Sequence, residues 1–516
     1  MMERRNFLRL AGAGLGSGLL SAQPPGGLDV KNFGAKGDGH SLDTAAINKA
    51  IDAAAAAGGG SVYFPAGGYL SYSIHLKSNV NLYLSEGATI IAADSTLQGG
   101  VGYDAAEPNP FDQYQDYGHS HFHNSLIWGE GLHNIGIFGA GLIWGRGLTK
   151  GNGPGPAAEM AGVGNKSISL KNCRNVTLRD FSILHGGHFA ILATGVDNFT
   201  IDNLKIDTNR DGIDIDCCRD VHVSNTSVNS PWDDAICLKS SLGLGFARAT
   251  EMVTITNCFV SGSFEEGSLL DGTFKRYDPD VKIPRKGRIK FGTESNGGFK
   301  NVTMSNCVFD GCTGLALETV DGGLLEDVTI TNITMRDITN APIFLRLGRR
   351  MRGPEGVPVG ALRRVIINGI VCSNSASQIA SIISGVPGHS IEDVKLSNIY
   401  IQHQGGGTKE NAAVEPPENE DAYPEPTMFG AMPAHGFYIR HAKNIQMSDI
   451  EIVSQKEDAR PAFVLNDVQG ADFTHLKVPH VAKEPVFALN HVEDFSLTRS
   501  KPSPDTQIDR VEQKKF

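Results

Sequence analysis

With 516 residues, 40% of them hydrophobic and 20% charged, the chain has a globular composition rather than a disordered one. Its net charge of −11 argues against nucleic acid, or any polyanion held by bulk electrostatics, yet leaves room for a sugar acid gripped by a few local cations. The 61 glycines suit a fold made of many turns.

The N-terminus runs Glu3-Arg4-Arg5-Asn6-Phe7-Leu8-Arg9-Leu10 into a short apolar, glycine-rich stretch ending at Ala22. Paired arginines before Phe-Leu read as a twin-arginine export signal over residues 1–22, with periplasmic or secreted destination. The apolar part is too short to leave a membrane anchor. Residues 28–95 read as a capping module: Ser41 or Asp43 opens a helix from about Thr44 to Ala57, Gly58-Gly59-Gly60 ends it, and Ser61–Phe64 is a strand. Such a helix closes the apolar end of a solenoid.

A recurring phrase follows, a polar residue and then an apolar-x-apolar pair, as in Asn79-Val80-Asn81-Leu82, Asn134-Ile135-Gly136-Ile137 and Asn175-Val176-Thr177-Leu178. The anchors at 175, 198 and 220 stand 23 and 22 residues apart, and longer intervals fit one or two such periods plus inserted loops. Asparagines recur behind the anchors at 203, 225, 257, 306, 332, 368 and 398. Asparagine tolerates the left-handed backbone of a tight corner, and stacked amides bond from coil to coil. Period-2 strands with sharp corners define an all-β, single-stranded parallel β-helix over residues 28–500, with 501–516 as a tail. Insertions at about 96–125, 145–165, 262–286, 350–360 and 403–435 supply groove walls. The first is rich in aromatic and histidine residues, which points to sugar contact or packing; the last reads as a solvated acidic surface loop. The eight cysteines lack paired CxxC spacing, so buried free thiols are expected, and neither metal nor cofactor is. A monomer acting on a polysaccharide or oligosaccharide is the expected state.

The chemistry concentrates in Asn209-Arg210-Asp211-Gly212-Ile213-Asp214-Ile215-Asp216 and Trp232-Asp233-Asp234-Ala235-Ile236-Cys237-Leu238-Lys239. Stacking the inward pairs Ala190/Leu192, Ile213/Ile215, Ile236/Leu238, Ile289/Phe291, Leu315/Leu317 and Ile343/Leu345 gives three outward columns. They read His188, Asp211, Asp234, Gly287; then Asp214, Cys237, Lys290, Ala316, Phe344; then Asp216, Lys239, Gly292, Glu318, Arg346. Neighbours in a column lie ~4.8 Å apart, so Asp211 and Asp234 repel and hold a proton more tightly than isolated aspartates. A water between them can be activated, while Asp233 donates to a leaving oxygen.

From Val30 to Asp449 the sequence resembles glycoside hydrolase family 28, the polygalacturonase and rhamnogalacturonase family of right-handed, pectin-lyase-like β-helices. Asn209-Arg210-Asp211-Gly212 is similar to its Asn-Thr-Asp-Gly motif, and Trp232-Asp233-Asp234 to its Asp-Asp motif. The resemblance implies inversion, with Asp233 as general acid and Asp211 and Asp234 positioning water. Two departures stand out. No histidine occupies Gly287-Arg288-Ile289, where the family has Gly-His-Gly, and Ala316-Leu317-Glu318 replaces the Arg-Ile-Lys that grips a uronate. A neutral residue at the cleaved position, in a pectin-related or other polysaccharide, is therefore expected. The substrate-binding set comprises His188, Asp214, Asp216, Lys239, Arg288, Lys290, Glu294, Glu318 and Arg346. Two other functions fit the same frame: a lyase with calcium on the clustered aspartates and Lys239, Arg288 or Lys290 as base, or a non-catalytic carbohydrate-binding or adhesive β-helix.

Overall fold

The computed structural model describes residues 27–95, 102–151, 160–479 and 484–516. The expected export segment 1–22 lies outside these residues, as does 152–159 of one insertion. Among the described residues, no helix is long and apolar enough to cross a membrane.

The chain is a parallel β-helix. Through the middle coils each turn lays one strand on each of three stacks, exemplified by Phe189–Thr194, Asp197–Asp202 and Lys205–Asp207, which pair with Asp211–Asp216, Arg219–Ser224 and Ser227–Asn229 one coil later. From Phe299 onward the second and third stacks merge into long bent strands. Val, Ile, Leu and Phe side chains from alternate positions fill a continuous core from Val30 to Leu497.

The corners explain the asparagines. Asn134, Asn175, Asn198, Asn203, Asn225 and Asn257 all have φ between 54° and 56°, the left-handed region that asparagine tolerates best among non-glycine residues. Their amides form a ladder along the outside: Asn134 Nδ2 donates to Asn79 Oδ1 at 2.8 Å, Asn175 to Asn134 at 2.8 Å and Asn198 to Asn175 at 2.9 Å. At 368 the corner has moved one residue, and Gly369 takes the positive φ.

Both ends are closed. Helix α1 (Thr44–Ala56) buries Ile47, Ala50, Ile51 and Ala54 on one stripe over the first coil. Asp43 is its N-cap residue, but the carboxylate makes no capping bond; it accepts from the backbone N–H groups of Lys36 (2.7 Å) and Gly37 (3.0 Å) and pins the preceding turn. Residues 501–516, expected as a tail, instead contain a strand, Thr506–Lys515, paired antiparallel with Phe487–Thr498. It satisfies the backbone edge that the last coil would otherwise expose. Beneath it the rings of Phe437, Phe463, Phe487 and Phe516 stack at 5.7, 5.0 and 5.2 Å.

All eight cysteines are free and buried, packed as small apolar groups. Replacing Asn175 by alanine should cost about 1–3 kcal/mol, from left-handed strain plus two lost amide bonds, with glycine costing less because it keeps the backbone. Urea unfolding midpoints of the two variants test that order.

Candidate active site

The site stands on six successive strands of the first stack: β1 (Phe189–Thr194), β2 (Asp211–Asp216), β3 (Ile236–Ser240), β4 (Ile289–Ser295), β5 (Leu315–Thr319) and β6 (Ile343–Leu347). Asp214 pairs with Cys237, Cys237 with Lys290, Lys290 with Ala316 and Ala316 with Phe344, so the second expected column is present in full. The first column is off by one at its start. Phe189, not His188, pairs with Asp211, and Ile191 and Ala193 face the core. Four consecutive apolar residues, Ala190–Ala193, carry no period-2 signal to fix their faces. The third column is interrupted: Leu238 pairs with Phe291 but Ser240 with Ser295, so β4 carries two extra residues around Gly292 (φ 98°). That bulge brings Glu294 to Lys239, with Oε2 3.4 Å from Nζ.

Gly212 shows why this motif needs its glycine. A Cβ there would sit 2.3 Å from the Ala235 carbonyl oxygen and 2.6 Å from Val228 Cγ1, so the next coil could not close over Asp211.

Asp211, Asp233 and Asp234 converge, each offering an oxygen within 4.8 Å of the others. They open into a pocket of about 450 Å³. Tyr117 and His188 form one wall, their rings 4.9 Å apart, and Tyr423 stands on another. His188 Nδ1 donates to the Lys150 carbonyl at 2.7 Å, and burial together with Arg210 holds this imidazole neutral. Arg210 Nη2 meets Asp233 Oδ2 at 2.6 Å, and Lys286 Nζ lies 3.8 Å from the other oxygen.

The other two aspartates, both buried, are driven apart in acidity. Burial, then the charges of Asp233 and Asp214, push Asp211 well above the ordinary carboxylate range. Burial also opposes charge on Asp234, but Lys290 and Arg288 outweigh it and hold this carboxyl below that range. The contacts are Arg288 Nε to Oδ1 at 3.0 Å and Lys290 Nζ to Oδ2 at 3.3 Å. Burial with the Asp233 and Asp214 charges thus favours the proton on Asp211, while Lys290 and Arg288 favour the charge on Asp234. Behind them, Glu318 lies 3.7 Å from Lys290 and 3.9 Å from Arg288, and burial raises it to about 7.

A second charged group lies under Asp211. His119 is clamped between Glu294 (Nδ1 to Oε1, 2.6 Å) and Asp214 (Nε2 to Oδ2, 3.2 Å). Burial alone would lower its pKa; the two carboxylates overcome that and raise it to about 10, so the ring is an imidazolium.

Of the expected substrate-binding residues, His188 and Lys239 line the pocket, whereas Asp214, Arg288, Lys290, Glu294 and Glu318 are buried behind it and Asp216 and Arg346 are engaged elsewhere. Asp216 spends its oxygens on Thr194, on Ser241 N–H and Oγ, and on the Cys217 thiol, a closed structural network inside the wall. Arg346 points away from the pocket, donating to Ser384 Oγ and to the carbonyls of Gly385, Glu418 and Asn419. Arg346 does pair with Glu318, but the 403–435 insertion covers this part of the face. That insertion is solvated only in part: Glu415 and Asp421 are exposed, while other residues bind the coil. Arg440 binds the Pro416 and Pro417 carbonyls, Arg288 binds Glu425 at 2.8 Å, and Tyr423 lies over Lys290. Glu425 pairs with Arg288, 137 residues earlier, a match no local pattern reveals.

Lys286, Tyr423 and Glu425 were missed for that reason. Asp116, Tyr117 and His119 lie in an insertion whose aromatic and histidine content was the only signal. Arg210 sat within the motif itself, its partner hidden one coil on.

Residues 28–140 match the family model described as rhamnogalacturonase A/epimerase, pectate lyase-like, and residues 157–282 match that of the right-handed β-helix region. A probable polygalacturonase of Vitis vinifera is 22% identical over 399 residues, covering 72% of this chain and 73% of that protein. A family 28 exopolygalacturonase of Yersinia enterocolitica superposes with a TM-score of 0.63 at 18% identity, covering 88% of this chain and 79% of the other. For a hyperthermoactive exopolygalacturonase of Thermotoga maritima the values are 0.59, 16%, 83% and 92%. The chain is a right-handed parallel β-helix of the pectin-lyase-like kind. Within that class it is similar to glycoside hydrolase family 28.

The His119 clamp gives a pH signature. A basic group whose folded pKa is raised contributes stability that is complete below the unfolded value of about 6.5 and is lost as pH rises through the folded one. The melting temperature should therefore fall between pH 6.5 and about 10, and His119→Gln should flatten that part of the curve. Calorimetric scans across the interval check both.

Proposed function

We propose that this chain is a pectin-related glycoside hydrolase that cleaves by a carboxylate mechanism in the Asp211–Asp233–Asp234 pocket. The observation that carries the reading is the division of labour within that cluster: three carboxyl groups within 4.8 Å, one holding a proton and one held ionised. Asp233 is the outermost, with its side chain 17% exposed, and so is placed to reach a leaving oxygen. The proton favoured on Asp211 lies within 4.8 Å of a carboxylate oxygen of Asp233, which passes it to the leaving oxygen as the glycosidic C–O bond breaks. Asp211, now anionic, and Asp234 then take a proton from the attacking water as its oxygen bonds to the anomeric carbon. The proton lost to the leaving group is thus returned by the nucleophile.

Arg288 and Lys290 keep Asp234 charged and leave Asp211 alone, which is their role in this scheme. The same cations argue against a calcium lyase, because Arg210, Arg288 and Lys290 already balance the carboxylates a calcium ion would need. The resemblance to family 28 implies inversion. Export through a twin-arginine signal at Arg4-Arg5 belongs to the same reading, with action on an extracellular or periplasmic glycan.

A screen on galacturonan, rhamnogalacturonan, xylogalacturonan and neutral glycans should yield new reducing ends, undiminished by EDTA. Loss of activity on chelation, or unsaturated products absorbing in the ultraviolet, would instead identify a lyase. Asp233→Asn should lower kcat by about 10²–10⁴-fold with little change in KM; turnover at the wild-type rate would refute the acid assignment. Proton NMR of the first-formed anomer should show inverted configuration.

A further inference from the structure

Beside Lys286, which lines the pocket, stands a carboxylate that does not belong to the coil. Glu425 arrives on the 403–435 insertion, just before the short helical turn Pro426–Phe429, and its side chain is 17% exposed. One oxygen, Oε1, lies 2.8 Å from Arg288 Nη2 and 3.4 Å from Lys286 Nζ. Lys286 in turn reaches Asp233, so the carboxylate sits beside the group assigned to proton delivery. Within the coil Arg288 also faces Asp234 at 3.0 Å and Glu318 at 3.9 Å. The insertion is also held in place independently, by Arg346 and Arg440 on the carbonyls of residues 416–419. Lys286, which lines the pocket, and Arg288, buried behind it, therefore form an anion seat at the pocket's edge, and an external loop fills it.

We propose that Glu425 is a specificity-determining residue whose carboxylate occupies the Arg288–Lys286 seat in place of a substrate carboxylate, so that the pocket takes a neutral sugar beside Asp233 and turns a uronate away. A uronate entering there meets a like charge and cations already engaged, whereas a neutral hydroxymethyl group meets neither penalty. The inference rests on the hydrolase reading for its catalytic consequence, but the seat itself is a binding property.

Two readouts separate these. In calorimetric titration with D-galacturonate and D-galactose, Glu425→Ala should bind galacturonate about tenfold or more tightly than wild type, the scale of one charged hydrogen bond. Galactose affinity should not change. Adding Lys286→Gln to Glu425→Ala should remove the gain, and Glu425→Gln, which leaves the seat filled by an amide, should fall between. Unchanged galacturonate binding in a Glu425→Ala protein with a wild-type melting profile overturns the proposal. In turnover, wild type should prefer carboxyl-reduced galacturonan oligosaccharides over native ones, and Glu425→Ala should shift that ratio about tenfold towards the native substrate. A wild type faster on native oligosaccharides overturns the proposal while leaving hydrolysis intact. Full activity of Asp233→Asn refutes the hydrolase reading while the titration still judges the seat.

Discussion

Everything in this molecule hangs on the parallel register between consecutive coils. A residue meets its counterpart one turn later at a single strand spacing, so chemistry separated by 23 positions, Asp211 and Asp234, is forced together without any local contact in sequence. The corners enforce that register: left-handed asparagines end one face and start the next, and their amide ladder locks each turn to its predecessor. Two aspartates far apart in sequence are buried together, and Arg288 and Lys290 on the adjoining coil favour the charge on Asp234.

What could be read beforehand follows from the same rule. Strictly alternating stretches, Ile213/Ile215 and Ile236/Leu238, show both strand and face, and the second column from Asp214 to Phe344 follows from them. Reading failed where alternation stopped. Ala190–Ala193 gives no face, which shifted His188 by one; the Gly292 bulge adds two residues that leave no periodic trace, and with them moves Glu294 into contact with Lys239. Asp216 looked like a site residue because it shares a column with Lys239, yet its partners are two hydroxyls, a thiol and a backbone amide.

The insertions were the least legible part and carry the pocket's individuality. Tyr117 and His119 come from one, Tyr423 and Glu425 from another, and each meets a coil residue far away in the chain. Composition flagged the first and described the second only in part, because acidic residues in a loop look alike whether they face water or a buried arginine. The coil is regular enough to hold the reacting groups, and the loops decide what can approach them.

The reversed last strand bears on a different matter. A parallel coil ends in a row of amides and carbonyls ready to accept another coil, including one from a second copy of the chain, and such head-to-tail addition has no natural stopping point. Thr506–Lys515 runs the opposite way and shows outward Asp509, Arg510, Glu512, Lys514 and Lys515, so the next surface offered is antiparallel and charged. The last strand thus covers the parallel edge of the Phe487–Thr498 coil with a charged, antiparallel one.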